Sequence, residues 1–299
     1  MTQNTAVFGL GSMGLGMALS CLRAGHRVTG FDLNAAQVAK LTDAGGVTGP
    51  VDAVAPSFDA VVIVVLNAAQ VESVLFGDSG VAAHLAKGTV VIACATVPPA
   101  FAQDMERRCA EHGLLYLDAP ISGGAKKAAE GKLSIMASGA PAAFTAAEPV
   151  LTATAETVFH LGDQAGPGSA MKAVNQLLAG VHIAAMAEAM TFGMAQGIAP
   201  ATFVDVITQC AGTSWMLENR APHVVAGDYT PHSQINIWPK DLGIVLETAR
   251  AAGFDAPIAE TALHQYRRAV EMGLGAEDDA ALAKVYAAQA GLTLPGTAT

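Results

Sequence analysis

Three glycines near the start of the chain have the spacing of a phosphate-binding loop. They form the pattern G-x-G-x-x-G between a short apolar run and a helical pattern. In such a loop the first glycine allows a tight turn, the second lets the backbone approach a pyrophosphate, and the third lets helix pack on strand. The phosphate then meets unpaired N–H groups at the positive end of a helix. The predicted dinucleotide contacts in this loop are Gly9, Leu10, Gly11, Ser12, Met13 and Gly14.

An acid at the end of the second predicted strand bears on which dinucleotide binds. The glycine spacing alone is weak evidence, because ordinary turns share it. Asp32 follows the loop by about 20 residues, where an acid can accept from both ribose hydroxyls. A carboxylate there repels a 2′-phosphate, and no arginine follows closely, so the sequence predicts NAD rather than NADP. A helix N-cap is the alternative role for Asp32, and the two roles are compatible.

A lysine and an asparagine in the second half of the chain could move a proton. Lys172 and Asn175 lie in a helical pattern that follows Gly166-Pro167-Gly168, and their spacing places them on one helix face. The amine of a lysine in a partly dry pocket can act as acid and base near neutral pH, and an amide beside it can hold a substrate oxygen. The alternative for Lys172 is a surface lysine whose stem covers an apolar helix.

A serine and two glycines stand just beyond the fifth predicted strand. Open α/β sheets bind ligands beyond the carboxyl ends of their strands, which is where Ser122, Gly123 and Gly124 lie. A hydroxyl and exposed backbone N–H groups suit a carboxylate, so this stretch predicts a substrate-binding loop. An ordinary glycine loop is the alternative.

Alternating strands and helices must position these residues in the first half of the chain. Short apolar runs predict six strands, with helical patterns between them. This alternation predicts right-handed crossovers and a Rossmann-like, doubly wound, mostly parallel α/β sheet. The predicted strands are Ala6–Leu10, His26–Asp32, Ala60–Leu66, Thr89–Ala93, Leu114–Asp118 and Leu133–Ala137.

Helical patterns alone follow residue 164, which predicts an all-α C-terminal domain. We expect an NAD-binding domain over 1–164 and an all-helical substrate and dimerisation domain over 165–299. The tail Thr293–Thr299 is expected to fray. The predicted helices are Ser169–Gln196, Pro200–Cys210, Trp215–Ala221, Lys240–Ala252, Pro257–Met272 and Asp278–Gln289.

The composition argues against several classes of protein. The 299 residues include 16 basic and 26 acidic side chains, and this net charge of −10 disfavours nucleic acid as a partner. Four scattered cysteines, with no zinc-ligand spacing, predict no metal and a reduced, cytoplasmic protein. The N-terminus lacks the basic region of a signal peptide. The apolar stretch Leu177–Ala195 contains His182 and Glu188, which favours a core or subunit-interface helix over a membrane span.

Four motifs in this order resemble those of the 3-hydroxyacid (β-hydroxyacid) dehydrogenase family. They are the glycine loop, Asp118–Gly124, the pattern G-x-x-x-K-x-x-N from Gly168 to Asn175, and Lys240-Asp241-Leu242. The resemblance implies catalysis by Lys172 with Asn175, a carboxylate site at Ser122–Gly124, and a homodimer or homotetramer. The further cofactor contacts are expected at Leu66, Asn67, Thr96 and Lys240.

A narrower likeness, carried by stretches such as Leu177–Ala185 and Gly227–Ser233, is to the L-threonate dehydrogenase branch of that family. It implies NAD-dependent oxidation of the C2 hydroxyl of L-threonate to a 2-keto acid. Trp238-Pro239 departs from the stretch expected in that branch, and we expect this pair to bear on the pocket. The alternatives are a reductase or dehydrogenase for tartronate semialdehyde, 3-hydroxyisobutyrate or succinic semialdehyde and, in another class, a non-catalytic module that senses dinucleotides.

Overall fold

The division of the chain into two units falls inside its longest helix. The computed structural model describes residues 2–297, and its two units are residues 1–172 and 173–299. The sequence predicted this division after residue 164. The first turns of the long helix belong to the first unit because the buried carboxylate of Asp118 accepts hydrogen bonds from Gly166 and Ser169.

Five parallel strands form the main sheet of the first unit, in the order β2-β1-β3-β4-β5. The Rossmann-like, doubly wound prediction is confirmed. The strand order reverses between β1 and β3, which makes a crevice for a ligand at the carboxyl ends of these two strands. The strands are β1 (Asn4–Phe8), β2 (Arg27–Phe31), β3 (Ala60–Ile63), β4 (Val90–Ala93) and β5 (Leu115–Asp118).

Helices cover both faces of this sheet, so its strands are apolar on both sides. In β1, Ala6 packs into one apolar core and Val7 into the other. A parallel strand that is buried on both faces has a continuous apolar sequence, which is the pattern in β3 and β4. The helices of this unit are α1 (Ser12–Arg23), α2 (Ala35–Asp43), α3 (Val51–Val54), α4 (Ala68–Phe76), α5 (Pro99–Glu111), α6 (Gly124–Glu130) and α7 (Pro141–Thr154).

A second, three-stranded sheet corrects the prediction for Leu133–Ala137. That strand, β7, lies between β6 (Ile121–Ser122) and β8 (Ala155–His160) instead of in the main sheet. It pairs antiparallel with β6 because the chain turns back after β5. The sequence did not predict β6, which has two residues, or β8, which is half-exposed and lacks an apolar run. Asp118 and Ser138 exchange backbone hydrogen bonds of 3.0 and 2.9 Å where the two sheets meet.

Helices build the second unit, as predicted. Helix α10 runs beyond the predicted end at Ala221, because the buried side chains of Leu217 and Val224 outweigh the hydrogen bond that Pro222 removes. The predicted fraying is wrong for Leu294, which is buried, and residues 298–299 lie outside the described part of the chain. The helices are α8 (Pro167–Ala195), which starts in the first unit, α9 (Pro200–Ile207), α10 (Trp215–Ala226), α11 (Ile237–Ala251), α12 (Pro257–Glu271) and α13 (Ala283–Ala290).

Helix α8 is long and apolar enough, by length and composition, to cross a membrane. Its residues Ile183, Met186 and Met190 are instead buried in the apolar core of the second unit. Its 29 residues therefore include a core-facing stripe, as the sequence predicted.

The four cysteines are free thiols of two kinds. Cys21, Cys94 and Cys109 are buried, and burial raises the pKa of each thiol to about 12. Cys210 is exposed.

Candidate active site

The protein's own backbone requires two of the three glycines in the loop between β1 and α1. Gly9 has φ 89°, and a Cβ there would lie 2.3 Å from the carbonyl oxygen of Val64. A Cβ on Gly14 would lie 1.8 Å from the carbonyl oxygen of Gly9. Both glycines are thus explained by the tight turn and by the close packing of α1 on β1.

Gly11 differs, because no atom of residues 2–297 occupies the space where its side chain would lie. A Cβ there would have nothing within 4 Å, and its φ of −63° is open to any residue. Gly11 is the N-cap of α1. Because it has no side chain, it cannot accept hydrogen bonds from the N–H groups in the first turn of that helix. The free space and the N–H groups fit a pyrophosphate at the start of α1, with Ser12 and Met13 in that first turn.

Asp32 is tied to the glycine loop by hydrogen bonds. Its Oδ2 accepts from the N–H of Leu10 at 2.6 Å, and its Oδ1 accepts from the N–H of Asn34 at 2.7 Å. Asn34 is the N-cap of α2 and accepts from Ala36, so the alternative N-cap role for Asp32 is wrong. Each carboxylate oxygen of Asp32 retains a lone pair that a ribose hydroxyl could use.

The other predicted cofactor contacts of the first unit follow β3 and β4. Leu66 is exposed, and its N–H donates to Gln70 Oε1 at 2.8 Å. Asn67 caps α4 by accepting from the N–H of Gln70 at 2.9 Å. Thr96 is half-buried, three residues past the end of β4. Because the strands are parallel, these residues lie at the same sheet edge as the glycine loop.

The structure brings Lys172 to the predicted substrate-binding loop. Its side chain is buried, and Nζ donates to the carbonyl oxygen of Ile121 at 2.9 Å, beside Ser122. Gly123 and Gly124 follow with φ values of 133° and 74°, which only glycine adopts readily. The alternative that Lys172 is a surface lysine is therefore wrong.

Asp118 holds the start of the helix that presents Lys172. Its buried carboxylate accepts from the N–H of Gly166 at 3.0 Å, and from the N–H and hydroxyl of Ser169 at 2.8 and 2.7 Å. Burial raises the pKa of Asp118, and the hydrogen bonds from Ser169 and Gly166 oppose that rise. This role was not predicted from the sequence, where its one signal is that Asp118 ends an apolar strand.

Gly168 is required at the same place by close packing. A Cβ there would lie 2.5 Å from the carbonyl oxygen of Met136 and 2.8 Å from that of Asp118. Its N–H donates to Ser138 Oγ at 2.9 Å. The glycine four residues before Lys172 thus allows α8 to start against the ends of β5 and β7.

The two predicted site residues of the second unit are joined by a chain of polar side chains. The Asn175 amide donates to Gln176 Oε1 at 3.0 Å, and Gln176 Nε2 donates to Asp241 Oδ2 at 2.5 Å. The ammonium of Lys240 lies 2.5 Å from Asp241 Oδ1. No role for Gln176 or Asp241 was predicted from the sequence, and only the motif Lys240-Asp241-Leu242 pointed to Asp241.

Trp238 and Pro239 are structural residues of α11. The Trp238 ring is buried, stacks on Tyr266 at a centroid distance of 5.4 Å, and donates from Nε1 to Asp279 at 3.0 Å. A Cβ on Gly180 would lie 3.0 Å from the Trp238 ring, so that glycine makes room for it. Pro239 occupies the first turn of α11, where a proline is tolerated. The Trp238 side chain therefore fills the core of the second unit, and we expect it not to line a pocket.

Asp278 and Asp279 are two consecutive buried acids that form hydrogen bonds with the loop before α11. Asp279 also pairs with Arg220 at 2.5 Å. Asp278 lies 3.0 Å from Nδ1 of His223 and accepts from the N–H of His232 at 2.8 Å. Burial acts to raise the pKa of Asp278, but these contacts outweigh it and leave that pKa below its ordinary value.

Comparisons with known proteins agree with this arrangement in both units. A family model described as the NAD-binding domain of 6-phosphogluconate dehydrogenase matches residues 4–162. A second, described as NAD-binding of NADP-dependent 3-hydroxyisobutyrate dehydrogenase, matches residues 166–286.

Full-length relatives belong to the same family. The chain is 50% identical to an L-threonate dehydrogenase of Cupriavidus necator over 100% of both chains. It is 49% identical to that of Escherichia coli K12, over 98% of this chain and 97% of the relative. A crystal structure of a 3-hydroxyisobutyrate dehydrogenase from Salmonella typhimurium has a TM-score of 0.90 and 48% identity, over 95% of this chain and 99% of the other. This chain is therefore a member of the 3-hydroxyacid dehydrogenase family and an NAD-dependent hydroxyacid dehydrogenase.

Proposed function

We propose that this chain oxidises L-threonate with NAD to 2-dehydro-L-erythronate. The reaction removes a hydride from C2 and a proton from the C2 hydroxyl, and leaves a 2-keto acid. Two L-threonate dehydrogenases that share about half of its residues over nearly their whole length support this substrate. Bound NAD supplies the nicotinamide that accepts the hydride.

The observation that carries the proposal is the hydrogen bond from Lys172 Nζ to the carbonyl oxygen of Ile121. It holds the amine of Lys172 beside the Ser122–Gly124 loop, at the sheet edge where open α/β folds bind ligands. The amine takes the hydroxyl proton in oxidation and returns it in reduction. One N–H of Lys172 is held by Ile121, which limits the directions in which the amine can meet a hydroxyl.

The remaining site residues bind and orient. Ser122 Oγ and the backbone N–H groups of Gly123 and Gly124 hold the substrate carboxylate. Asn175 orients the reacting oxygen, and Lys240 is a contact for the cofactor. Asp32 holds the ribose of the adenosine half and favours NAD over NADP, because its carboxylate repels a 2′-phosphate.

The testing experiment is the initial rate of NADH formation, followed at 340 nm, on a panel of acids. L-threonate, D-erythronate, D-glycerate and 3-hydroxyisobutyrate are each supplied with NAD and with NADP. We expect selective turnover of L-threonate with NAD. The 3-hydroxyisobutyrate arm tests the second candidate function, which the name of the Salmonella structure favours. Turnover of that acid without turnover of L-threonate would overturn the proposed substrate but not the role of Lys172.

We also propose that the protein is a homodimer or homotetramer in the cytoplasm. Helix α8 exposes Val174, Leu178 and Phe192, at 56%, 50% and 65% of their surfaces, on an apolar stripe that suits a second copy of the chain. The free cysteines fit a reducing compartment. Light scattering at micromolar concentration tests the assembly, and a monomeric mass would contradict it. Replacement of Leu178 by Glu places a charge on this apolar stripe and should therefore lower the measured mass of the assembly.

A further inference from the structure

Gln176 and Asp241 form a buried polar link in the helical unit. Gln176, on α8, is 8% exposed, and Asp241, on α11, is 2% exposed. They are joined by the 2.5 Å hydrogen bond from Gln176 Nε2 to Asp241 Oδ2. Buried polar side chains are costly unless they are paired, so the link needs a reason beyond the packing of α8 on α11.

The chemistry of the link determines how each amide in it must be turned. A carboxylate can only accept, so Gln176 must present Nε2 to Asp241, which leaves its Oε1 to accept from Asn175. Asn175 must then turn Nδ2 toward Gln176, as observed at 3.0 Å. Its Oδ1 is thereby directed elsewhere, as an acceptor for a hydroxyl or an ammonium. The ammonium of Lys240 stabilises the charged carboxylate of Asp241, on which the orientation of both amides depends.

We infer that Gln176 and Asp241 are positioning residues, which fix the amide of Asn175 so that its Oδ1 accepts from the amine of Lys172 and leaves the amine lone pair to take the proton of the reacting hydroxyl. This inference rests on the proposed role of Asn175 in oxidation of a hydroxy acid. Gln176 and Asp241 act through Asn175 and Lys240 without touching the substrate. A flipped or mobile Asn175 amide would offer N–H groups to an amine whose lone pair has to take the hydroxyl proton.

A double-mutant cycle in the full-length enzyme tests the inference. The substitution Gln176→Met, which keeps the size of the side chain and removes its amide, is made alone and in an Asn175→Ala background. Asp241→Asn is a second, isosteric variant whose amide can itself donate to Gln176 and release the fixed orientation. Thr191→Val is the matched control, because it removes one buried side-chain hydrogen bond from the same helix, to the carbonyl oxygen of Ala187.

Wild-type turnover is measured first, on the acid of the panel that the enzyme oxidises fastest. We expect Gln176→Met and Asp241→Asn each to lower kcat about tenfold, within the range of coupling between residues of one network. In the Asn175→Ala background, Gln176→Met should change kcat by less than about twofold. The control should lower the unfolding temperature and leave kcat unchanged. The same variants are also compared by the affinity with which each NADH-bound enzyme binds the acid in a dead-end complex. This measurement requires no turnover.

Two different failures are distinguishable. A wild-type enzyme that oxidises none of the acids overturns the proposed function of the chain. An active wild type in which Gln176→Met costs as much with Ala at position 175 as with Asn overturns the positioning role, because the side chain then acts independently of Asn175.

Discussion

The carboxylate of Asp118 binds Ser169 twice, through the backbone N–H at 2.8 Å and through the hydroxyl at 2.7 Å. Lys172 follows Ser169 by three residues on the same helix, so the acid that ends β5 holds the turn from which the lysine side chain starts. The position of the Lys172 amine therefore depends on a group that has no part in the proposed proton transfer.

Two replacements of Asp118 should show whether the fold requires a hydrogen-bond acceptor at this position or a negative charge. Asp118→Asn keeps an oxygen for the N–H groups and can turn its amide to the Ser169 hydroxyl, so it should cost less than about 1 kcal/mol of unfolding free energy. Asp118→Leu takes the acceptor from four buried donors, the N–H groups of Gly166 and Ser169 and the hydroxyls of Ser169 and Ser138, and should cost about 3 kcal/mol or more. Urea unfolding of both variants measures the difference, and equal losses would contradict the assignment.

Replacement of Lys172 by Ala should remove the acid and base of the reaction. We expect kcat to fall ~10²–10⁴-fold, as is usual for such groups, with unchanged affinity for NADH. Lys126→Ala is the control, because Lys126 is exposed beside the same loop. Initial rates and NADH fluorescence titration check the two quantities. Near-normal turnover by Lys172→Ala would rule out its role.

Gly11 and Gly14, in the loop between β1 and α1, should respond differently to an added methyl group. Gly11→Ala has open space and an allowed backbone, so the unfolding temperature should be unchanged while NADH binds about tenfold more weakly or worse. Gly14→Ala places a Cβ against the Gly9 carbonyl oxygen and should prevent normal folding. Calorimetry with and without NADH distinguishes the two variants. An unchanged NADH affinity in Gly11→Ala would show that no ligand uses that space.

Replacement of Trp238 by Phe should affect stability and leave substrate choice alone. The variant keeps a ring against Tyr266 but removes the donor to the buried Asp279 carboxylate, which should cost about 1–3 kcal/mol. The ratio of kcat/KM values across the acid panel should not change. A shift in that ratio would mean that Trp238 acts on the pocket after all.

Asp278 should make the protein less stable in acid. Its pKa is below the ordinary value of 3.8, so it stabilises the fold above that pH, and the contribution is lost as pH falls through the lowered pKa. Between about pH 5 and pH 3, wild type should therefore lose more unfolding free energy than Asp278→Asn. The raised pKa of Asp118 acts in the opposite direction in both proteins and cancels in this comparison. The charge of Asp278 itself helps to raise the pKa of Asp279, so the measured difference belongs to these two acids together. Urea unfolding of wild type and Asp278→Asn at both pH values measures the two losses of unfolding free energy, and equal losses would contradict the prediction.

Much of the fold follows from local sequence, because buried parallel strands have continuous apolar sequences. Ala60–Ile63 and Val90–Ala93 are of this kind, and their prediction was confirmed. Ala155–His160 was not predicted, because a half-exposed strand at the end of a small sheet has no such run. The antiparallel partner of Leu133–Ala137 depends on a turn after β5 that local patterns do not specify.

The candidate site was predictable to the extent that its chemistry lies in short motifs. The loop at Ser122 and the lysine at 172 are of that kind, and the structure joins them through Ile121. Asp118 and Asp241 also lie in such motifs, but their hydrogen-bonding roles could not be predicted, since their partners are 51 and 65 residues distant along the chain. The structural role of a buried acid can be recognised only when the groups that donate hydrogen bonds to it are known.

The unequal burial of the four thiols has a practical consequence. Three of them are buried with strongly raised pKa values, whereas Cys210 is exposed just beyond the end of α9. A maleimide dye added to the native chain should therefore couple at Cys210 alone. Such a dye would provide a fluorescent reporter in the helical unit without any substitution, and the labelled protein would keep every residue of both candidate binding regions intact.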